Sequence, residues 1–364
     1  MSLPTKSTLV AVNEPPTYEI NATFDQPEST FKIVEKEIGE LQDGQLLVKN
    51  LYLSNDPTQR GWITKNPNRE AMYVEPIGAN DIMRSYGLVE VLDSKSETHK
   101  VGDIYMGTTY WGDNVVVPAL FLSLKVDKSV PLPLTAYVDW VGGTGLTAYF
   151  GLYDVAQLKK EDVLVVSGAA GATGAMVVQI AKHLIGAKKI IGIAGGQEKC
   201  DFVKSIGADE CVDYRSKDFS GDMKKALGED QECDVYFDGV GGEILDQMFS
   251  FVKRRTGVVV ACGAIAGYND SSKLWVKNWG HIITRRLNVK GFIVTDYLGE
   301  AQKAIQAIVG GVKAGKIKVD NTLHLEDLSK ESEPLKQLPT IYNKLFNGEK
   351  KAGKLLTKLA DPIN

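Results

Sequence analysis

The chain of 364 residues contains only four cysteines and four histidines. No cysteine precedes Cys200, and before residue 130 the single histidine is His99. Zinc in proteins is held mainly by thiolate and imidazole ligands in close groups. His99, His183, His281 and His324 are scattered, and no Cys/His set accompanies them, so no metal site is expected. His99 lies in a charged turn and reads as a surface residue, whereas His281 lies in a Trp-rich loop. Cys200, Cys211, Cys233 and Cys262 form no C-x-x-C pair. They read as small core or edge residues rather than as a disulfide framework.

Two further absences narrow the function. No apolar run approaches the roughly 18 residues of a membrane span. The stretch Met1–Pro16 lacks the basic-then-apolar order of a secretory signal. A cytoplasmic protein with no membrane partner is expected. The charge balance, 42 Lys and Arg against 46 Asp and Glu, leaves a net −4. There is no basic excess to neutralise phosphates, so no nucleic-acid partner is expected. Internal repeats and low-complexity segments are also missing.

What is there is an ordinary globular composition, 43% hydrophobic and 24% charged. At about 100–200 residues per domain, this length suggests two domains. The first ~130 residues have a β-rich texture. Short apolar segments such as Gln45–Leu51, Ile104–Met106 and Asn114–Val117 are bounded by Gly, Asp, Asn and Pro. From about residue 140 strands and helices alternate. Strands are expected at Val163–Ser167, Lys189–Ala194, Glu210–Asp213, Val235–Asp238, Gly257–Ala261 and Leu287–Val294. Helices are expected at Ala175–Leu184, Glu198–Ser205, Phe219–Leu227, Ile244–Phe251 and Glu300–Ala314. Such alternation implies a parallel sheet covered on both faces. The tail carries strand-like pieces at Lys316–Val319 and Lys354–Leu359.

The first of these strands runs into Ser167-Gly168-Ala169-Ala170-Gly171-Ala172-Thr173-Gly174. Read as A-x-G-x-x-G, it places Ala169, Gly171 and Gly174 at the three positions of a dinucleotide fingerprint. The middle glycine admits a pyrophosphate close to the backbone, and the last lets the helix pack closely. The helix N-terminus then offers free N–H groups to the anion, with Ala172, Thr173 and Gly174 of the turn as expected contacts. Sites for NAD place an acid after the second strand, on the ribose 2′-OH. Here Ala194, Gly195 and Gly196 leave room for a phosphate instead, with Lys199 as a point charge. Tyr214, after the third strand, is a further contact. The cofactor expected is NADPH.

Several motifs in one order resemble a known family. They are Leu51-Tyr52-Leu53-Ser54-Asn55-Asp56-Pro57, Gly145–Leu152, the A-A-G-A-x-G turn, Tyr236–Glu243, Cys262-Gly263-Ala264-Ile265, Tyr268-Asn269 and Gly291-Phe292. The set resembles the zinc-free medium-chain dehydrogenases/reductases of the prostaglandin reductase, leukotriene B4 12-hydroxydehydrogenase and plant 2-alkenal (double-bond) reductase family. The resemblance runs from about residue 50 to 295. It implies an α/β fold: a Rossmann doubly wound parallel sheet plus a β-rich GroES-like catalytic domain. The expected division is 1–132 for the first part of the catalytic domain, 133–314 for the Rossmann domain, and 315–364 for a C-terminal return to the catalytic domain. NADPH in the cleft between the domains, and a homodimer, are implied as well.

Carried over by position, Gly171, Ala172, Gly174, Lys199 and Tyr214 are implied cofactor contacts. Cys262, Gly263, Ala264, Ile265 and Tyr268 resemble the loop beside the nicotinamide. Phe292 and Val294 resemble the strand along its other side. Tyr52 and Tyr86 resemble substrate-pocket tyrosines. Gly239 stands where the family has an Asn contact to the cofactor. Gly353-Lys354 is kept from a G-x-N-x-G-K motif, with Lys351 at the Asn position. The stretches Met72–Arg84 and Trp275–His281 depart strongly.

The activity implied is hydride transfer from NADPH to the β-carbon of an enal or enone, with hydrogen bonds stabilising the developing enolate. Tyr268 is the first candidate proton donor and Tyr52 the second, since a Tyr pKa near 10 suits donation. The alternatives are an NADPH:quinone reductase and, in another class, a non-catalytic NADPH sensor or structural protein.

Overall fold

The computed structural model describes residues 3–319 and 322–363. The chain divides into two compact units. One comprises the chain up to Val138, His324–Lys350 and the stretch from Leu355; the other comprises Asp139–Leu323 and Lys351–Lys354.

The second unit is built on six parallel strands: β1 (Val163–Val166), β2 (Lys189–Ala194), β3 (Glu210–Asp213), β4 (Val235–Asp238), β5 (Val258–Ala261) and β6 (Asn288–Gly291). Their order across the sheet is β3-β2-β1-β4-β5-β6, the order of a doubly wound dinucleotide fold. β1, β2, β4 and β5 are runs of Val, Ile and Phe with almost every side chain buried, as a sheet covered on both faces requires. Val165, Ile191, Tyr236 and Val259 share a core with Met223, Met248 and Phe249 of the covering segments. Burying each such side chain contributes roughly 1.5–3 kcal/mol before the entropy of ordering is set against it.

Several bounds differ from the sequence expectation, the helix expected at Ile244–Phe251 running Gly242–Met248, and three differences have a clear physical reason. The first covering helix starts at Ala172, not Ala175, because Gly171 caps it without a side chain and leaves no polar signal at its start. β6 stops at Gly291 rather than Val294. Among the described residues its one partner strand, β5, ends at Ala261, opposite Gly291, so no ladder remains to extend it. Lys316–Val319 forms no strand. There the buried Gln179 takes the place of a strand partner: its Oε1 accepts from the Lys318 N–H at 2.6 Å and its Nε2 donates to the Lys318 carbonyl at 3.0 Å.

In the first unit, a mainly antiparallel sheet runs in the order Leu323–Asp327, Lys354–Lys358, Gln45–Ser54, Arg84–Ser94, Ile104–Tyr110 and Leu122–Lys125, with Asn114–Pro118 paired to Gln45–Ser54. Lys6–Val12 and Phe31–Glu37 form a separate antiparallel pair. Leu46, Val48, Val89, Val91, Val115 and Val117 make one core. A second gathers Phe31, Trp62, Trp111, Leu338 and Tyr342. The β-rich half is therefore a small folded sheet whose C-terminal strands come from the far end of the chain.

Candidate cofactor and reaction site

The glycine-rich turn joins β1 to the helix Ala172–Ile180. The left-handed residue of the turn is Gly168, with φ +59°. Ala169 therefore fills the first fingerprint position without backbone strain. Gly174 is required by contact: a Cβ there would lie 2.3 Å from the Gly168 carbonyl oxygen and 2.8 Å from the Ala169 Cα. Gly171 makes no side-chain cap, so the first-turn N–H groups of Ala172, Thr173 and Gly174 remain for an outside acceptor. This bare helix start, with no Cβ at Gly171, fits the pyrophosphate of a dinucleotide. Gly353 lies beside the turn, its N–H donating to the Ala170 carbonyl at 2.8 Å. The kept glycine of the C-terminal motif thus braces the glycine-rich turn from within the same unit.

At the end of β2 the chain carries no acid. Gly196 takes φ +85° and caps the helix Gln197–Ser205. Tyr214 packs against Gly195: a Cβ on that glycine would stand 2.7 Å from the ring and 2.9 Å from the hydroxyl. Lys199 is half-buried in the first turn of the helix. Arg215, which sequence reasoning passed over, packs beside Gly196 and lies 5.7 Å from the centroid of the Tyr214 ring. Its adjacency to Tyr214 was the available signal. Close by, the Sγ atoms of Cys200 and Cys211 touch at 2.6 Å as free thiols.

A second missed residue is Asp238, at the C-terminal end of β4. Its carboxylate is buried and accepts from Ser167 Oγ (2.8 Å), the Tyr236 hydroxyl (2.9 Å) and the N–H groups of Val240 (3.1 Å) and Gly241 (3.0 Å). Burial raises its pKa, against the pull of these donors. Gly239 donates to Ser167 Oγ at 2.9 Å, and a Cβ at Gly239 would meet nothing nearer than 3.8 Å. The small residue leaves this position open.

The loop Cys262–Tyr268 is zipped to the same turn by backbone bonds. Cys262 and Gly263 donate to the Asp238 carbonyl at 2.9 and 3.1 Å, Ile265 to Gly239 at 3.4 Å, and Ala266 to Val240 at 3.1 Å. The Ala264 N–H donates to the Tyr268 hydroxyl oxygen at 3.2 Å, holding the half-buried ring on the loop. Burial pushes the Cys262 thiol up to about 12. Phe292 and Val294 follow β6 and are half-buried. Phe292 packs on Gly151 and meets Tyr297 edge-on, with centroids 6.3 Å apart.

Tyr52 and Tyr86 belong to the first unit. The register Tyr52↔Leu88 and Leu53↔Gly87 puts both tyrosines on one face of the sheet, two residues apart along adjacent strands. Tyr52 sits opposite Lys358, which pairs with Asp327 at 3.2 Å and Asp361 at 2.8 Å. Burial raises the pKa of Tyr52. Tyr86 packs edge-on against Trp62, with centroids 5.8 Å apart, and burial pushes its phenol up to about 12. Among the described residues no group of three or more His, Cys, Asp or Glu side chains could hold a metal ion. Among the described residues no helix is long and apolar enough to cross a membrane.

The chain matches the family profile described as zinc-binding dehydrogenase over residues 172–310, and that described as the N-terminal domain of oxidoreductase over residues 23–123. It is 37% identical to a Saccharomyces cerevisiae protein described as an uncharacterized membrane protein, over 93% of this chain and 94% of that one. With the NADP-dependent 2-alkenal reductase of Nicotiana tabacum it shares 35% identity, over 83% of this chain and 84% of the relative. The crystal structure of CurA from Vibrio vulnificus in complex with NADPH superimposes with a TM-score of 0.82 at 28% identity, covering 98% of this chain and 100% of that one. With the doubly wound sheet, the fingerprint turn and these relatives together, the chain belongs to the medium-chain dehydrogenase/reductase family, in the zinc-free branch that includes 2-alkenal reductases and prostaglandin reductases.

Proposed function

We propose that this protein is an NADPH-dependent reductase of the carbon–carbon double bond in α,β-unsaturated aldehydes and ketones. The observation that carries the reading is the Tyr268 hydroxyl, held on a loop bonded to the turn after β4, in a chain with a named 2-alkenal reductase among its relatives. NADPH, when bound, supplies the hydride that the β-carbon of the substrate accepts.

The chain's own residues bind and orient. Gly171, Ala172, Thr173 and Gly174 take the pyrophosphate; Gly195, Lys199 and Tyr214 face the ribose with its 2′-phosphate. Gly239, Cys262, Gly263, Ala264, Ile265, Phe292 and Val294 line the nicotinamide. Tyr268 donates a hydrogen bond to the substrate oxygen as negative charge gathers there, and is the first candidate to pass on a proton. Tyr52 is the second. Tyr86 contacts substrate and stays a neutral donor, since its raised pKa keeps it protonated at neutral pH. The Cys262 thiol is also kept protonated, and a thiol adds far more slowly than a thiolate to an electrophilic alkene.

We also propose a cytoplasmic homodimer. β6 is the outer strand of the sheet, with all four residues exposed and Val289 46% accessible. Leu274, Trp279 and Ile283 add exposed apolar surface on the same unit. An open edge of this kind invites pairing with another strand. The activity is tested with NADPH deuterated at the transferred position of C4: the reading expects deuterium on the β-carbon of a saturated product, and deuterium on the carbonyl carbon would refute it.

A further inference from the structure

We infer that Arg215 is the residue that selects NADPH over NADH, with Lys199 in a supporting role; the inference rests on the NADPH reading above. The turn after β2 is bare backbone. Gly196, at φ +85°, would put a Cβ 3.5 Å from Nη1 of Arg215. Gly195 would put one 2.7 Å from the Tyr214 ring. The phenol thus presses on Gly195 and the guanidinium lies beside Gly196 at the end of the second strand, where a fold of this type presents the ribose.

Three features prepare Arg215 for a phosphate. The Asp213 carboxylate accepts from the Arg215 backbone N–H at 2.9 Å, fixing the turn that carries it. The guanidinium lies 5.7 Å from the Tyr214 ring centroid, in the range of a cation–π contact that restrains the side chain. A side-chain hydrogen bond with Tyr214 and the nearby Asp213 carboxylate favour its charged form and keep it beside the Gly195–Gly196 turn. A planar guanidinium fork can take two phosphate oxygens at once, whereas an ammonium acts as a point charge. Lys199 has Glu198 beside it in the same first helical turn, which offsets part of its field. The bare 2′-hydroxyl of NADH offers neither charge nor a bidentate acceptor, so a loss at Arg215 falls on NADPH alone.

The test is equilibrium binding of NADPH and NADH to the full-length protein, followed by nicotinamide fluorescence, for the wild type, R215Q and K199Q. Arg215 is exposed, so its replacement leaves the fold intact. R215Q is expected to weaken NADPH by about tenfold or more and to leave NADH within about twofold. K199Q is expected to do less. Competition by 2′,5′-ADP against 5′-AMP should follow the same pattern. An NADPH preference unmoved by R215Q, an equal loss for both cofactors, or a larger selective loss in K199Q would overturn the assignment alone. A wild type that binds both cofactors equally would overturn the NADPH reading and the assignment with it.

Discussion

Ser167 Oγ donates to the Asp238 carboxylate at 2.8 Å, tying the C-terminal ends of the two central strands of the parallel sheet. The same carboxylate gathers the turn Gly239–Gly241, and the Asp238 carbonyl holds Cys262 and Gly263. The buried Asp238 side chain therefore ties the end of β1 to the turn after β4, and its backbone carbonyl anchors the loop carrying Tyr268.

Replacing Asp238 by Asn keeps the size and removes acceptor capacity. With the amide oxygen in the Oδ1 place, the amide nitrogen faces the Gly241 N–H donor against donor, and that N–H keeps only its 3.1 Å bond to Oδ1, at a cost of about 1 kcal/mol. D238N should lower the unfolding midpoint by several degrees and raise the Kd for NADPH. An unfolding midpoint and a Kd equal to those of the wild type would show that the carboxylate does not organise the site.

Tyr268→Phe removes the hydroxyl while keeping the ring on its loop. If Tyr268 polarises the substrate oxygen or passes the proton, kcat for a 2-alkenal should fall by about 100-fold, with the Kd for NADPH little changed. Tyr52→Phe should act less on kcat and more on the KM for the alkenal. A Y268F enzyme with wild-type kcat would remove this tyrosine from the reaction and move Tyr52 to first place.

Tyr86 gives the alkaline stability a sign. Burial holds its phenol at about 12 in the folded chain, against 10.0 ordinarily. The folded state therefore keeps a proton that the unfolded state has lost. This contribution is fully present below about pH 10 and is lost as the pH rises toward about 12. Thermal unfolding across that window should show a smaller alkaline loss for Tyr86→Phe than for the wild type; equal losses would contradict the assignment.

A charge at the centre of the β6 edge should prevent strand pairing between two copies. Val289→Glu should shift the protein from dimer to monomer in sedimentation velocity, with thermal stability at low concentration unchanged. A variant that stays dimeric would place the interface elsewhere.

Much of the second unit was legible because its strands are short apolar runs bounded by turn residues. Lys189–Ala194, Glu210–Asp213 and Val235–Asp238 appear at the expected positions. The errors arise where the signal is not local. The end of β6 depends on where β5 stops, and the missing strand at Lys316–Val319 depends on Gln179, far away in the chain. In the site, the glycine turn announces itself by residue type. Arg215 does not, because a Tyr-Arg pair after a strand looks like solvated surface until Gly195 and Gly196 are seen against it. Asp238 is visible as an acid ending an apolar strand, but its partners come from Ser167, 71 residues earlier.

The most direct test of the account is NADPH oxidation with a 2-alkenal, with the product identified by mass and NMR. The account predicts the saturated aldehyde. An allylic alcohol, or no alkenal turnover alongside rapid oxidation with a quinone, would contradict it.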